Sequence, residues 1–197
     1  MEEYDVQLRR VEEADPEALK VFFELERRSW KGKAGTAITC STATSEFYDG
    51  VATAAARSGY LSLYFLDFDG IPVAGHLGLR HKDRYYMPKV AYDEDYARFS
   101  PGQLLLRGII EDVSKDGPAV VDFLGLMAPW KADWTEKVLP HSSCFIYRKG
   151  VRGRVLPALH ALHQRGAHPL SVSADHDRRR PDRGDGVPDA HFHPAAR

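Results

Sequence analysis

The run from Leu61 to Leu124 limits the folds open to this chain more than any other stretch. Leu61–Phe68, Ile71–Leu79 and Tyr85–Tyr92 each read as a β-strand, joined by Asp69-Gly70 and by His81-Lys82-Asp83-Arg84. Asp-Gly between two apolar runs is the strongest short-range signal for a hairpin. Met87-Pro88 falls inside the third strand. Proline has no N–H for the ladder, so a bulge or interruption is predicted near Pro88. Ser100-Pro101-Gly102 then opens a helix over Gln103–Lys115, with Leu105, Leu106, Ile109, Ile110 and Val113 on its buried side. Asp116-Gly117-Pro118 ends that helix, and Ala119–Leu124 follows as an almost unbroken apolar strand, predicted to be covered on both faces.

The N-terminal third adds a short strand over Val6–Val11 and two helices. Asp15-Pro16-Glu17 supplies an N-cap, a proline at the first helical position and an acid in the first turn. Leu19, Phe22, Phe23 and Leu25 then carry helical spacing up to Trp30, and Gly32 and Gly35 end the helix. A second helix is predicted from Ser45, with Phe47, Tyr48, Val51, Ala54 and Ala55 on its apolar face and Gly59 as its stop. Ser142–Tyr147 reads as a last strand.

Composition changes near Gly150. The expected organisation is a folded domain over 1–150, one further helix over 151–165 interrupted at Pro157, and a disordered tail over 166–197 rich in Pro, Gly, Asp, Arg and His. Six of the histidines, His160, His163, His168, His176, His191 and His193, fall after Val151. A biased tail without fixed geometry accounts for them better than a metal site does, and no metal is expected.

A chain of 197 residues with 43% hydrophobic residues can bury one ordinary core. The net charge of −1 offers no broad attraction for nucleic acid or a membrane surface. Cys40 and Cys144 are the only cysteines. They could form one bridge, but two reduced thiols are the plainer reading. No apolar run approaches the ~20 residues of a membrane span. The start, Met-Glu-Glu-Tyr-Asp, lacks the basic and apolar regions of a signal peptide, so a cytoplasmic protein is expected.

Ser100-Pro101-Gly102 carries the first chemical reading. The free N–H groups of a helix start, here those of Gly102, Gln103 and Leu104, make a seat for a phosphate or another anion. The same three residues also serve as a plain helix cap, and both readings stay open.

Several local patterns point further: Leu25-Glu26-x-x-Ser29-Trp30-Lys31-Gly32-x-x-Gly35-Thr36-Ala37, Ala91-Tyr92-Asp93-Glu94, Ser100-Pro101-Gly102 and Asp122-Phe123-Leu124-Gly125. With the order of elements, they resemble the GNAT acyltransferases, and within them the CelD-like acetyltransferase group. The stretch from Ser100 to Trp134 is also similar to the second domain of Fem-type peptidyltransferases. The resemblance covers about Glu12 to Lys149. It implies an α/β (α+β) fold: a mixed, mostly antiparallel twisted sheet flanked by helices. It also implies an N-acyltransferase that moves an acyl group, acetyl above all, from acyl-CoA to an amine. The acceptor would be a small molecule or a cell-envelope precursor of polysaccharide metabolism.

Two departures accompany it. Members of this group carry two related domains, and this chain has room for only the second. A missing N-terminal GNAT-like domain or a homodimer would then complete the site. The family's pyrophosphate loop, Arg/Gln-x-x-Gly-x-Gly/Ala, is not met by Arg98-Phe-Ser-Pro-Gly102-Gln103.

By position, the resemblance assigns the acyl carrier to Arg98, Ser100, Gly102, Gln103 and Leu104, with Lys89 as a further carbonyl or phosphate contact. The expected break at Pro88 would part the third strand from Ala119–Leu124 and open a slot for the pantetheine arm. Lys131 resembles the lysine that Fem-type enzymes keep after their Asp-Phe-x-Gly strand. It would stabilise charge on the reacting carbonyl, with Trp130 and Trp134 drying the ammonium; the alternative is a solvated surface lysine. Asp122 is either a general base or a cap on the following turn. Tyr96, with Tyr92, would protonate the leaving thiolate. Asp93, Glu94 and Asp95 read mainly as a solvated cluster. Two other functions compete: a Fem-like aminoacyl transferase, which should show a basic face or coiled-coil arm that this sequence lacks, and a non-catalytic half that completes a partner's site.

Overall fold

The computed structural model describes residues 4–13, 15–115, 117, 120–140, 142, 144–147, 150, 155–157 and 159. The chain forms two units, one built on Met1–Trp134 and one on Thr135–Pro188.

In the first unit, Asp15 caps helix α1 (Pro16–Arg28), its carboxylate accepting from the N–H groups of Glu17 and Ala18. Ser29 breaks the helix in an extended conformation and caps a one-turn helix, α2 (Trp30–Lys33). A 3₁₀ turn at Ile38–Cys40 leads to α3 (Thr42–Arg57). The cap of α3 is Ser41, not the expected Ser45, whose hydroxyl instead donates to the Ile38 carbonyl. The buried face of α3 agrees with expectation at Ala55, which is buried, and at Tyr48, which packs against the core. It differs at Ala52, which is also buried, and at Phe47, which is turned 62% exposed.

Five strands make one sheet in the order β1 (Val6–Val11), β2 (Leu61–Phe68), β3 (Ile71–His81), β4 (Arg84–Tyr92), β5 (Val120–Asp122). The first four pair antiparallel, and β5 pairs parallel to β4. Asp69 and Gly70 both take positive φ, 49° and 77°, as a two-residue hairpin turn requires. Helix α4 (Pro101–Lys115) makes the crossover from β4 to β5. The mixed, mostly antiparallel sheet between helices is the fold class that the sequence predicts.

The sheet is packed on both faces. Phe22, Leu25, Ile38, Ala52, Leu63, Phe65 and Leu77 form the core under α1 and α3. Tyr64, Leu66, Phe68, Val73, Tyr85, Leu105, Ile109 and Val113 form the core under α4. The predicted irregularity near Pro88 is present: Leu77 pairs with Lys89 but Leu79 with Tyr86, so Met87 and Pro88 stand opposite Gly78 alone. The extra residue flips the alternation of β4. Tyr85 and Met87 face α4 before the bulge, and Val90 and Tyr92 face it afterwards.

In the second unit, the strand expected over Ser142–Tyr147 is not formed at described residues 142 and 144–147. A short apolar run becomes a strand only beside a partner edge, and the described residues of this unit supply none. Residues 155–157 and 159 are helical. The remainder of the helix expected over 151–165, and the tail over 166–197, lie outside the described residues. Among the described residues, no helix is long and apolar enough to cross a membrane.

Candidate functional site

The site is built on the half of β4 that has lost its neighbour. Pairing with β5 stops at Tyr86↔Asp122, while β4 runs on to Tyr92. The Asp93 N–H donates to the Val73 carbonyl, so Asp93 and Val73 form a hydrogen-bonded pair. By the alternation of an antiparallel ladder, Val90 and Tyr92, opposite His76 and Ala74, turn their peptide groups away from β3. They line the open side of β4, where an extended ligand carrying amides can pair as a strand would.

The start of α4 lies beside this edge. Gly102 sits against the Tyr92 ring: an added Cβ would come 3.4 Å from Tyr92 Cδ1. Ser100, which precedes proline and so avoids the right-handed region, is left-handed at φ 52°. Its carbonyl accepts from the N–H groups of Gln103 (2.9 Å) and Leu104 (3.1 Å). This revises the predicted anion seat. Pro101 has no N–H and two of the three expected amides are taken, which leaves Gly102 N–H. Arg98 is exposed with its guanidinium 4.6 Å from the Phe99 ring centre. Tyr96 is packed among Tyr4 and Phe68, with ring centres 6.3 and 5.8 Å away.

Asp122 and Lys131 lie together on the far side of the gap. The Asp122 carboxylate accepts from the Leu124 N–H at 2.9 Å. The Lys131 ammonium donates to the Leu124 carbonyl and, at 2.8 Å, to the Leu126 carbonyl. Between them they clamp the Leu124 peptide, which is left-handed at φ 51°, an unusual conformation for a bulky residue. Burial lowers the Lys131 pKa and Asp122 opposes that shift. Trp130 lies 5.5 Å from the ammonium. Trp134 points elsewhere, donating its indole N–H to Gln103 Oε1 at 2.8 Å. The side chain of Gln103 therefore holds the loop after β5 against the start of α4.

Sequence reasoning assigned no role to the charged group that meets β4 from the other face. Glu26, fully buried on α1, accepts from Ile38 N–H at 2.7 Å and from the ammonium of Lys31 at 3.2 Å. Lys89, a predicted ligand contact, is 3.5 Å from the same carboxylate, with its ammonium 5.0 Å from the Tyr48 ring centre. Lys31 also donates to the Val90 carbonyl at 2.6 Å, on the open side of β4. Burial lowers the Lys31 pKa first, and Glu26 pulls it back up. A signal was present in the sequence: Glu26 continues the apolar stripe of Leu19, Phe22 and Leu25, where a carboxylate must find partners. Gly32 lets α2 fold back so that Lys31 reaches inward. A Cβ there would lie 1.7 Å from the Arg27 carbonyl oxygen.

A second polar chain runs under α4. Asp112 accepts from Arg10 at 3.2 Å and from the Tyr64 hydroxyl at 2.7 Å. The Tyr64 and Tyr85 rings meet edge to face, and the Tyr85 hydroxyl is 3.2 Å from His76 Nδ1. His76 is fully buried, and its Nε2 has no partner among the described residues. Among the described residues, no group of three or more His, Cys, Asp or Glu side chains could hold a metal ion.

A family model described as an acetyltransferase (GNAT) domain matches residues 1–132. No curated protein matches the sequence. Among solved structures, the chain is similar to a GCN5-related N-acetyltransferase from Ralstonia eutropha JMP134: 16% identity, 72% of this chain and 98% of that one, TM-score 0.54. It is also similar to the ribosomal-protein-S18-alanine N-acetyltransferase of Escherichia coli (18% identity, 59% of this chain, TM-score 0.43), of which it spans 64%. A third is the PaiA N-acetyltransferase of Thermoplasma acidophilum in complex with coenzyme A (16% identity, 58% of this chain and 75% of that one, TM-score 0.46). At these identities the likeness is one of fold.

Proposed function

The chain belongs to the acetyltransferase (GNAT) domain family, and we propose that it moves an acyl group from acyl-CoA to an amine acceptor along the open side of β4. The observation that carries this reading is the parting of β4 from β5 beyond Tyr86, with the peptide groups of Val90 and Tyr92 turned into the gap. An arm of peptide-like amides fits such an edge. Gly102 seats the start of α4 against the Tyr92 ring, where the edge meets the helix. With Gln103 and Leu104 N–H groups engaged, the diphosphate would rest on Gly102 N–H and on the Arg98 side chain. When bound, acyl-CoA supplies an activated acyl carbon with a thiolate leaving group.

The protein's own part is to hold the two reactants together and to stabilise the charge that develops on the carbonyl oxygen. Asp122 and Lys131 serve by fixing the Leu124–Leu126 wall. The placing of Tyr96 among aromatic rings favours a packing role over proton donation.

We assign the chain to the CelD-like group on its Leu25–Ala37 pattern. Two of the residues quoted for it, Glu26 and Lys31, meet beside β4. By analogy with that group, the acceptor is an amine of polysaccharide or envelope metabolism. Calorimetric titration with acetyl-CoA tests the central reading. A dissociation constant on the order of micromolar is expected, and no binding at millimolar ligand overturns it. One observation favours a second reading, a non-catalytic half: the Ser100 carbonyl fills two of the three amides of the anion seat. Absence of binding in the same titration would support that reading.

A further inference from the structure

We propose that Lys31 is a catalytic residue whose ammonium donates to the acyl carbonyl oxygen, and that Glu26 positions it. The proposal rests on the acyl-CoA reading above and names the group that takes the developing charge. A lysine ammonium has three N–H donors. One goes to Glu26 Oε1 at 3.2 Å and one to the Val90 carbonyl at 2.6 Å, and the third has no partner among the described residues. Because the Val90 carbonyl opens toward the gap, the ammonium sits on the rim where an acyl group laid along β4 would lie. Its side chain is 17% exposed, so it is dry enough to act strongly and open enough to be reached.

The charge count supports the same role. Two cations, Lys31 and Lys89, face one carboxylate, Glu26, leaving one positive charge unbalanced among the described residues in a half-buried place. His76, on the other face of the sheet, adds none, since burial and then Lys31 hold it neutral. A site with one surplus positive charge is matched to a reaction that creates one negative charge.

The step balances simply. The acceptor nitrogen bonds to the thioester carbon, and the carbonyl π pair moves onto oxygen, beside Lys31. Collapse reforms the C=O bond and breaks the C–S bond. The thiolate leaves and takes up the proton that the amine loses. Lys31 keeps its own proton throughout.

The test is difference infrared spectroscopy of acetyl-CoA, carbonyl-labelled with carbon-13, on the full chain. On wild type, the thioester carbonyl stretch should fall below its solution value. Lys31→Met should abolish that fall while leaving acetyl-CoA affinity within about threefold. Lys31→Arg should keep most of it. If Lys31→Met alone does not fold, the double variant Glu26→Gln, Lys31→Met removes both charges and should also lose the fall. The same displaced stretch in wild type and in either Lys31→Met form overturns the proposal but leaves acyl-CoA binding standing. Failure of wild type to bind acetyl-CoA overturns both. Where an amine acceptor turns over, Lys31→Met should lower kcat by about 10²-fold with little change in KM for acetyl-CoA.

Discussion

Glu26 shows how much one side chain can organise. A carboxylate with no exposure is tolerable only when each oxygen is occupied, and Ile38 N–H, Lys31 and Lys89 occupy them. Removing it strands two half-buried ammonium groups and a backbone N–H. Glu26→Leu is therefore expected to cost about 3–5 kcal/mol, read as a lowered urea midpoint; a cost below about 1 kcal/mol would mean the lysines re-solvate freely. The helical stripe gives away the burial of Glu26. Its partners stay hidden, because Lys89 arrives from a distant strand whose bulge decides which face it takes.

His76 makes a different prediction at the same scale. Burial, then the charge of Lys31, lowers its pKa from 6.5 to about 3. The unfolded chain thus binds a proton near pH 6.5 that the native protein refuses until about pH 3. Stability from this residue is level above pH 7 and declines as the pH falls through that window, by roughly 1 kcal/mol per pH unit. Urea midpoints between pH 4.5 and 7.5 should fall less steeply for His76→Phe than for wild type. Equal slopes would show that the ring is protonated in the folded state.

At the scale of elements, the bulge in β4 decides where the site is. Proline inside Tyr85–Tyr92 makes it legible from sequence, as Asp69-Gly70 does the hairpin and Asp15-Pro16 the first helix. What faces the bulge is not legible: Gly78 supplies the room. A Cβ there would lie 2.0 Å from the Tyr85 hydroxyl and 3.0 Å from the Ser62 carbonyl oxygen. Gly78→Ala should therefore displace Tyr85 from His76 and destabilise by about 1–3 kcal/mol in thermal or urea unfolding. The loop after β5 depends on its clamp in the same way. Lys131→Met should speed amide hydrogen exchange across Leu124–Trp134 while β2 and β3 keep their protection. Unchanged exchange would free Lys131 for the catalytic role that its position in the sequence first indicated. Helix faces proved harder to read. Phe47 looks like core by its apolar character, yet alanines permit the closer approach of α3 to the sheet. The anion seat is only partly legible for a related reason: a helix start shows its donors in sequence but not the carbonyl of Ser100 that folds back on Gln103 and Leu104.

At the scale of the whole molecule, all five strands of the described residues lie between Val6 and Asp122, and the family model ends at residue 132. Trp134, donating to Gln103, ties the loop after β5 to the start of α4. Among the described residues, the members of both apolar cores fall within these bounds, as does every residue proposed for the acyl carrier. Beyond them, Val138, Leu139, Phe145 and Ile146 stand exposed at 69%, 47%, 53% and 93%, an apolar load that favours association over folding. A chain ended after Trp134 is accordingly expected to unfold in one cooperative transition, within about 5 °C of the full chain. It should bind acetyl-CoA with the same affinity and scatter less light at equal concentration. A broad, non-cooperative melt would show instead that residues past Trp134 complete the fold. A sharp melt with lost affinity would place part of the carrier site in them.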